Sequence, residues 1–446
     1  MAKKPTDATQ IDAAPTKSFF VDMLTKDIPL EQAVLDLVDN SVDGAKRMNQ
    51  KSLDGRTVNI TISNSQFRIL DNCGGFNKET ARNYAFRFGR PPGTPATPHS
   101  IGQFGVGMKR ALFKFGNRFI VRSATSDEEW AVDVNVTDWV LDTNNWHFSW
   151  SNFGTNQDVS DVNPGTDIVV LKLRDEVATR FGTQQFENSI IGLIKSKHRQ
   201  FIAGGLSISV NDKHIDATDL YLLAEDELHP GVDNLNFGSG AKSIKTRIVV
   251  GLGPSSPREA GWYVICNGRV ILEADRRDRT GWGLIEEGAD RVAIPSFHNQ
   301  FARFRGIVSF DSKDSSQLPW NTTKTDIDDG HPVWQKTFQR MTEMMRPVIT
   351  FLNELDSDID EHTREGSALY DFVNTAAKSR ADVHTKKADF RAPKRDSVKK
   401  RVPTVKIQYS RPVKDVSLLE KELNVTSAKA VGEATFDTVL KRHKKS

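Results

Sequence analysis

Apolar and small residues recur at helical spacing through AVLDLVDNSVDGAK (33–46). Ala33, Val34, Leu37, Val38 and Ser41 make one stripe, while Asp36, Asn40, Asp43 and Arg47 fall three or four apart on another. Pro29 suits the first turn, so the pattern predicts a helix from there to about Met48. Taken alone, a polar stripe of this kind reads as a solvated helix face. VNITIS (58–63) and FRIL (67–70) are β-rich, and Ser63–Gln66 between them reads as a hairpin turn. A short helix is expected over Lys78–Arg87. It leads into FGRPPGTPATPHS (88–100), whose four Pro and two Gly exclude regular structure. IGQFGVGMKRALFKFG (101–116) is a glycine-rich turn that opens a helix. RFIVRS, EWAVDVNV, NWHFSW and DIVVLKL follow as three or four strands. Helices over one antiparallel sheet make a two-layer α+β sandwich.

A second unit begins near Phe186. It has a helix to about Phe201 and the strands LSISV, KTRIVVG, WYVICNG and FRGIVSF. A long helix over Val333–Leu355 carries Trp334, Phe338, Met341, Met345 and Ile349 at helical spacing. Beyond about Glu361 no pattern is sustained to Val402, and VKIQYS to FDTVL (405–440) is expected to form a small C-terminal element. The resulting division is a disordered tail at 1–17, a first domain at 18–184, a smaller α+β domain at 185–360, a basic linker at 361–404, and the C-terminal element with a basic tail at 405–446. No internal repeat is present.

Charge adds an asymmetry to this picture. Residues 378–402 hold ten Lys/Arg against three Asp, and KRHKKS adds four cations. A chain of net charge +3 is therefore left with −8 on everything else. The body is mildly acidic, and the cations of 378–402 and 441–445 are placed to meet the phosphates of DNA or RNA. The N-terminal decapeptide has no apolar signal core, and no run approaches the roughly 20 apolar residues of a membrane helix. Cys73 and Cys266 suggest neither a disulfide framework nor a metal site. A cytoplasmic protein with no membrane contact is expected.

Three glycine-bearing motifs bring chemistry to the pattern. In DNCGGF (71–76), Asp71 closes a strand and Gly74 and Gly75 follow. A carboxylate there can accept a hydrogen bond from an exocyclic amine while a flat ring lies on the backbone, although the same residues would also satisfy an Asx turn. In IGQFGVG (101–107), Gly102, Gly105 and Gly107 let the backbone approach a phosphate, at which the next helix aims its N–H groups. No GK[ST] follows and no strand leads directly in, so this is neither a Walker A nor a Rossmann fingerprint. Gly165-Thr166 stands before the strand DIVVLKL.

The order of these features resembles the GHKL ATPases: gyrase B subunits, MutL proteins, microrchidia (MORC) ATPases, ninety-kilodalton heat-shock chaperones and sensor histidine kinases. IGQFGVG is similar to the chaperone version, and IPLEQAVLDLVDNSVDGA is closer to the MORC version. The resemblance covers roughly residues 18–175. It implies a Bergerat ATP-binding fold followed by a transducer-like domain, with ATP and Mg2+ as ligands. It also assigns roles. Asn40 is the magnesium ligand, Asp71 the adenine-amine acceptor, Gly75 a support of the adenine pocket, and Thr166 a partner of Asp71 through water. Gly102, Gly105 and Gly107 are the phosphate loop, and 77–100 is the lid. Asp36 stands where the family usually places a Glu general base, one methylene longer, so slow or absent hydrolysis is implied. Asp39 and Glu31 are alternative bases. Cys73 stands where the family's DxGxG has its first Gly. YVICNGRVI (263–271) and LPWNTTKTDI (318–327) are similar to transducer segments. The latter puts Lys324 at the γ-phosphate, and in the former Arg269 has a structural role in the turn.

Three functions follow from the resemblance. One is an ATP-gated clamp that dimerises on ATP and acts on nucleic acid. Another is a chaperone-like ATPase, against which the chain lacks room for large middle and C-terminal domains. The third is an ATP-sensing regulatory or scaffold protein with little turnover.

Overall fold

The computed structural model describes residues 16–26, 28–49, 51–87, 97–102, 105–143, 145–151, 158–284, 294–361, 366–394, 407 and 409–444. Helix α1 (Lys17–Lys26) precedes α2 (Leu30–Met48). Pro29 caps α2 in extended conformation rather than entering its first turn. Glu31 near the start and Lys46 and Arg47 at the end complement the helix dipole. Strands β1 (Thr57–Ile62) and β2 (Phe67–Asp71) form the expected hairpin, closed by Ser63 N–H donating to Gln66 O at 3.0 Å. In β1 the alternation is realised as buried Val58, Ile60 and Ile62. Helix α3 (Lys78–Thr80), capped by Asn77, runs into a π turn over Ala81–Ala85.

The glycine loop opens α4 (Gly107–Phe115), and β3 (Gly116–Ala124), β4 (Glu129–Asn135), α5 (Val136–Leu141) and β5 (Gly165–Leu173) follow. NWHFSW forms no strand; Trp150 makes a single bridge to Val132, and Phe148 packs on Phe119 and Trp139. Helices α6 (Asp175–Phe181), α7 (Gln184–Lys197) and α8 (Arg199–Ala203) lead to β6 (Ser207–Val210) and β7 (Lys213–His214). The seven strands run β4-β3-β5-β2-β1-β6-β7, and every pair is antiparallel except β1–β6. The LSISV strand, expected in the second unit, is therefore β6 of the first sheet, returned parallel to β1 by the α6–α8 crossover. A strand's alternation sets its faces but not its neighbour. The rings of Phe67, Phe115 and Phe181 pack where helices meet sheet.

A second sheet contains β9 (Gly231–Phe237), β10 (Ile244–Leu252), β11 (Gly261–Cys266), β12 (Arg269–Asp275) and β13 (Phe304–Ser312). Its order is β12-β11-β13-β10-β9, with β11 parallel to β13. The long helix α9 (Pro332–Glu361) packs Trp334, Met341, Met345 and Ile349 onto one face, where Trp262 lies against Met345. Leu222, Val232, Tyr263 and Ile307 cluster on the other face. Covering on both faces makes β11 buried along its whole length. The fold is thus α+β, a sandwich of helices on a seven-stranded sheet followed by an additional sheet-and-helix region.

The segment read as the start of a basic linker is structured over its described part. Helix α10 (Ala368–Thr375) leads into β14 (Lys378–Arg380), which pairs with β8 (Tyr221–Leu223). Ala388 and Arg391 bridge to Val232 and His229. Its anchors are the buried Leu369, Val373, Ala376 and Ala381 and the partly buried Phe372 and Phe390, together with backbone hydrogen bonds that composition does not register. Arg380 pairs with Asp219 and Asp382, and Lys387 with Asp233. The chain divides into two compact units, Met1–Ile359 with Arg364–Arg395, and Asp360–Thr363 with Asp396–Ser446. The second holds the C-terminal element, α11 (Val413–Leu423) and α12 (Ala428–Lys444). These are joined through Asn424 in left-handed conformation, with Val431 buried.

Candidate nucleotide-binding site

Of the 19 residues of α2, 13 are buried, so its polar stripe is not a solvated face. Asp36, Asn40 and Asp43 line a cavity of about 710 Å3, within the range of about 300–1,000 Å3 common for small-molecule sites. Asp71, Gly75, Gly102, Gly105, Gly107, Thr166 and Lys324, also singled out from the sequence, line the same cavity, whereas Glu31, Asp39 and Arg269 do not. Part of the expected lid (88–96) and two residues of the glycine loop (103–104) lie outside the described residues.

At one end stands Asp71, placed by the end of β2 opposite Thr166 of β5. Its Oδ2 accepts from Ser41 Oγ at 2.6 Å, and its Oδ1 from the N–H groups of Cys73 (2.9 Å) and Thr166 (3.2 Å). Burial pushes its carboxyl above the usual range, against the pull of these donors. The backbone crowds this end. A Cβ on Gly165 would sit 1.9 Å from Asp71 O. One on Gly75, whose φ is +59°, would sit 2.1 Å from Ala124 O. Cys73 occupies its position without strain. The left-handed conformations fall on Gly74 and Gly75, and the buried thiol, raised in pKa by burial, sits inside the core.

At the other end the glycine loop meets α2. Asp43 accepts the N–H groups of Ile101 and Gly102, both at 2.7 Å, and burial pushes its carboxyl up. A Cβ on Gly102 would lie 3.8 Å from Asn40 Oδ1, and one on Gly107 would lie 3.3 Å from Asp36 Oδ2. The loop is thus a backbone wall laid against Asn40 and Asp36. Asn40 is the one residue between Gln32 and Ala45 that is exposed, and its amide opens into the cavity. Lys109 Nζ donates to Ala85 O (2.7 Å) and to Gly105 O, and burial lowers its pKa to about 7.

The floor between the two ends is an ion-pair chain. Asp36 Oδ2 pairs with Arg110 at 2.8 Å. Its Oδ1 faces Lys324 Nζ at 3.2 Å and Gln32 Nε2 at 3.1 Å. Lys324 reaches Asp39 Oδ2 at 2.6 Å, and Asp39 Oδ1 takes Arg269 Nε at 2.9 Å. Arg110 and Lys324 are thus the cations that face the cavity beside Asp36, while Asp39 and Arg269 stand behind Lys324. Burial alone would lower the Lys324 pKa, but Asp36 and Asp39 raise it above the ordinary lysine value. Asp39 faces away from the cavity. Glu31 pairs with Arg180 at the outer end of α2 and is also absent from the cavity wall. Neither alternative base is placed to meet a ligand there.

Sequence reasoning missed Arg110, Lys109 and Ser41 as parts of the site, and had Asp43 only as a member of the polar stripe with no role of its own. Arg110 stands one turn into the helix opened by Gly107. Nothing in the local sequence separates it from a surface arginine, because its partner Asp36 comes from another helix.

Among the described residues no group of three or more His, Cys, Asp and Glu is arranged to hold a metal. Magnesium prefers oxygen ligands and keeps waters, so one amide oxygen with phosphate oxygens is a sufficient protein contribution, and Asn40 fits it. No helix among the described residues is long and apolar enough to cross a membrane.

Comparison with known proteins adds one finding. Residues 28–157 match the family model described as histidine kinase-, DNA gyrase B-, and HSP90-like ATPase. The matched span holds α2, Asp71 and the glycine loop; Thr166 and Lys324 lie beyond it. No curated protein matches the chain. With Asp71, Asn40 and the glycine loop gathered on one cavity inside the matched span, the chain carries an ATP-binding domain of the GHKL ATPase type.

Proposed function

We propose that this protein is a magnesium-dependent ATPase of slow turnover that works as an ATP-gated clamp on nucleic acid, closing as a homodimer in the manner of MORC-like ATPases. The observation that carries the ATPase part is the seating of Lys324. A loop remote in sequence delivers its ammonium to Asp36, on the wall of the cavity that also holds Asn40, Asp71 and the glycine loop.

In this reading Asp71 accepts the adenine amine, with Thr166 beside it and Gly75 giving the ring room. Asn40 holds the magnesium ion, which when bound neutralises phosphate charge and orients the phosphates. The glycine loop with Gly102, Gly105 and Gly107 lays its backbone along the phosphates, at which the N–H groups opening α4 are aimed, that of Gly102 being held by Asp43. Lys324 meets the γ-phosphate and stabilises charge developing on the β–γ bridge. Asp36 accepts a proton from the attacking water. Lid closure over the nucleotide is coupled to dimerisation, and of the lid the described residues 77–87 and 97–100 contribute Asn77, Thr80, Tyr84 and Pro98 to the cavity wall. Support for nucleic acid as the client is the charge distribution. Lys378, Lys386 and Lys394 are exposed, as are Lys441, Arg442 and Lys444 at the end of α12. The pairing of Lys387 and Arg380 with acids reduces what the first segment can offer.

The test is ATP turnover by the full chain with and without duplex DNA, together with DNA binding at several salt concentrations by chains with and without residues 396–446. Turnover stimulated by DNA, and a weaker salt dependence after truncation, are expected. Equal affinity and equal salt slope for both chains would remove the tail from the DNA contact, and absence of ATP binding would overturn the whole reading.

A second reading, an ATP-sensing switch with little turnover, is favoured by one feature. Both oxygens of Asp36 are engaged by Lys324, Gln32 and Arg110, and the side chain is a methylene shorter than Glu. Asp36→Glu distinguishes the two. Faster hydrolysis than wild type supports a slow ATPase limited by reach, and no hydrolysis by either protein supports the switch.

A further inference from the structure

Asp39 is fully excluded from solvent and does not line the cavity, yet it gathers three side chains from elsewhere. Its Oδ1 meets His198 Nε2 at 2.8 Å and Arg269 Nε at 2.9 Å, and its Oδ2 meets Lys324 Nζ at 2.6 Å. His198 stands at the α7–α8 junction, Arg269 opens β12, and Lys324 rides the loop after β13. That loop is stiffened around the lysine. Asn321 Oδ1 accepts from Thr325 N and Asp326 N, and Asn321 O accepts from Lys324 N. Lys324 itself has φ +55°, a left-handed conformation unusual for a non-glycine residue. Burying a carboxylate costs several kcal/mol before its partners repay it, so packing alone does not account for one here.

An ammonium has three donors. Among the described residues two of those of Lys324 are taken, by Asp39 at 2.6 Å and Asp36 at 3.2 Å. The shorter bond is to the residue outside the cavity. We propose that Asp39 is the positioning residue for Lys324: it pins the ammonium at the phosphate end of the cavity, with Arg269 and His198 fixing the carboxylate, so that Lys324 tells a nucleoside triphosphate from a diphosphate. This rests on the reading of the cavity as an ATP site with Lys324 at the γ-phosphate. Without Asp39 the ammonium pairs with Asp36 alone and lies across the carboxylate that would otherwise face the attacking water. In Asp39→Asn the amide oxygen still serves Arg269 and His198, while the amide N–H groups turn on Lys324 and displace it.

The test is equilibrium binding of AMP-PNP and of ADP, each with Mg2+, to the full chain as wild type, Asp39→Asn, Lys324→Gln and the double variant. The wild type is expected to prefer AMP-PNP. Asp39→Asn should cut that preference about ten-fold, the equivalent of one charge-assisted hydrogen bond, with ADP affinity held within about two-fold. In the Lys324→Gln background the same substitution should change nothing further. A preference kept in Asp39→Asn, an equal loss of both nucleotides, or additive effects in the double variant would overturn the positioning role while leaving the ATP site intact. If the wild type bound neither nucleotide, the site reading would fall and the inference with it. If Asp39→Asn does not fold, Arg269→Lys loosens the same carboxylate. It should lower the preference several-fold in the wild-type background only, and an unchanged preference there overturns the proposal.

Discussion

Replacing Asp71 with Asn exchanges one oxygen of a buried carboxylate for an NH2 group and leaves the shape unchanged. The carboxylate holds two backbone N–H groups on Oδ1, at 2.9 and 3.2 Å, and the Ser41 hydroxyl on Oδ2, at 2.6 Å. An asparagine can keep its oxygen on the two N–H groups and present its nitrogen to Ser41, whose hydroxyl rotates to accept. The fold should therefore lose no more than about 1 kcal/mol. The nucleotide loses more. A hydrogen bond to a charged acceptor is worth about 1.5–3 kcal/mol, and a donor left facing the adenine amine costs about 1–3 kcal/mol more. At about 1.4 kcal/mol per factor of ten, affinity for ATP should fall about 10²- to 10⁴-fold. Calorimetric titration of the full chain with Mg·AMP-PNP measures the loss, and thermal unfolding of the same sample checks the fold. A Kd within about three-fold of wild type at an unchanged Tm would refute the assignment of Asp71 as the adenine acceptor.

Asp36→Ala is expected to keep nucleotide binding and stop turnover; hydrolysis at the wild-type rate would remove Asp36 as the base. Gly165→Ala puts a methyl 1.9 Å from Asp71 O and should cost at least about 1–3 kcal/mol by overpacking, along with nucleotide affinity; an unchanged urea midpoint would contradict that geometry. Burial, then Arg269, lowers His198 to about 4, while Asp39 pulls the other way. Its pKa in the unfolded chain lies near 6.5, so its contribution to stability is complete above that value and is lost as pH falls from 6.5 through 4, by up to about 3 kcal/mol. His198→Gln should flatten the fall of Tm over that window, and an identical pH profile would assign the acid sensitivity elsewhere.

The local features were legible because they are made by neighbours in sequence. The α2 helix, the β1–β2 hairpin, the glycine loop opening α4 and the long α9 each follow from periodicity, turn chemistry or backbone freedom within a few residues. Asp71 and the glycines carry chemistry a strand end and a glycine run can offer locally, whereas the role expected of Asn40 came from the resemblance of the ordered motifs to GHKL ATPases, since its helix face alone reads as solvated. What stayed hidden was partnership. The LSISV strand satisfies β1 of the first sheet rather than β10 of the second. A basic stretch that reads as linker is held in place by β14–β8 backbone pairing. Neither choice leaves a trace in hydrophobic pattern, since any exposed sheet edge offers the same N–H and C=O groups.

The same division runs through the opening helix. By itself the sequence determined that Asp36, Asp39, Asn40 and Asp43 share a helix and that a glycine loop lies in reach. Only the tertiary structure decided which carboxylate does what. Asp43 takes the loop amides, Asp36 takes Arg110 from the packed α4, and Asp39 turns inward to bind Lys324 and Arg269 from the second sheet region. The physical reason is that a buried charge is tolerated only where its counter-charges arrive, and these arrive from residues far away along the chain, which no local pattern records.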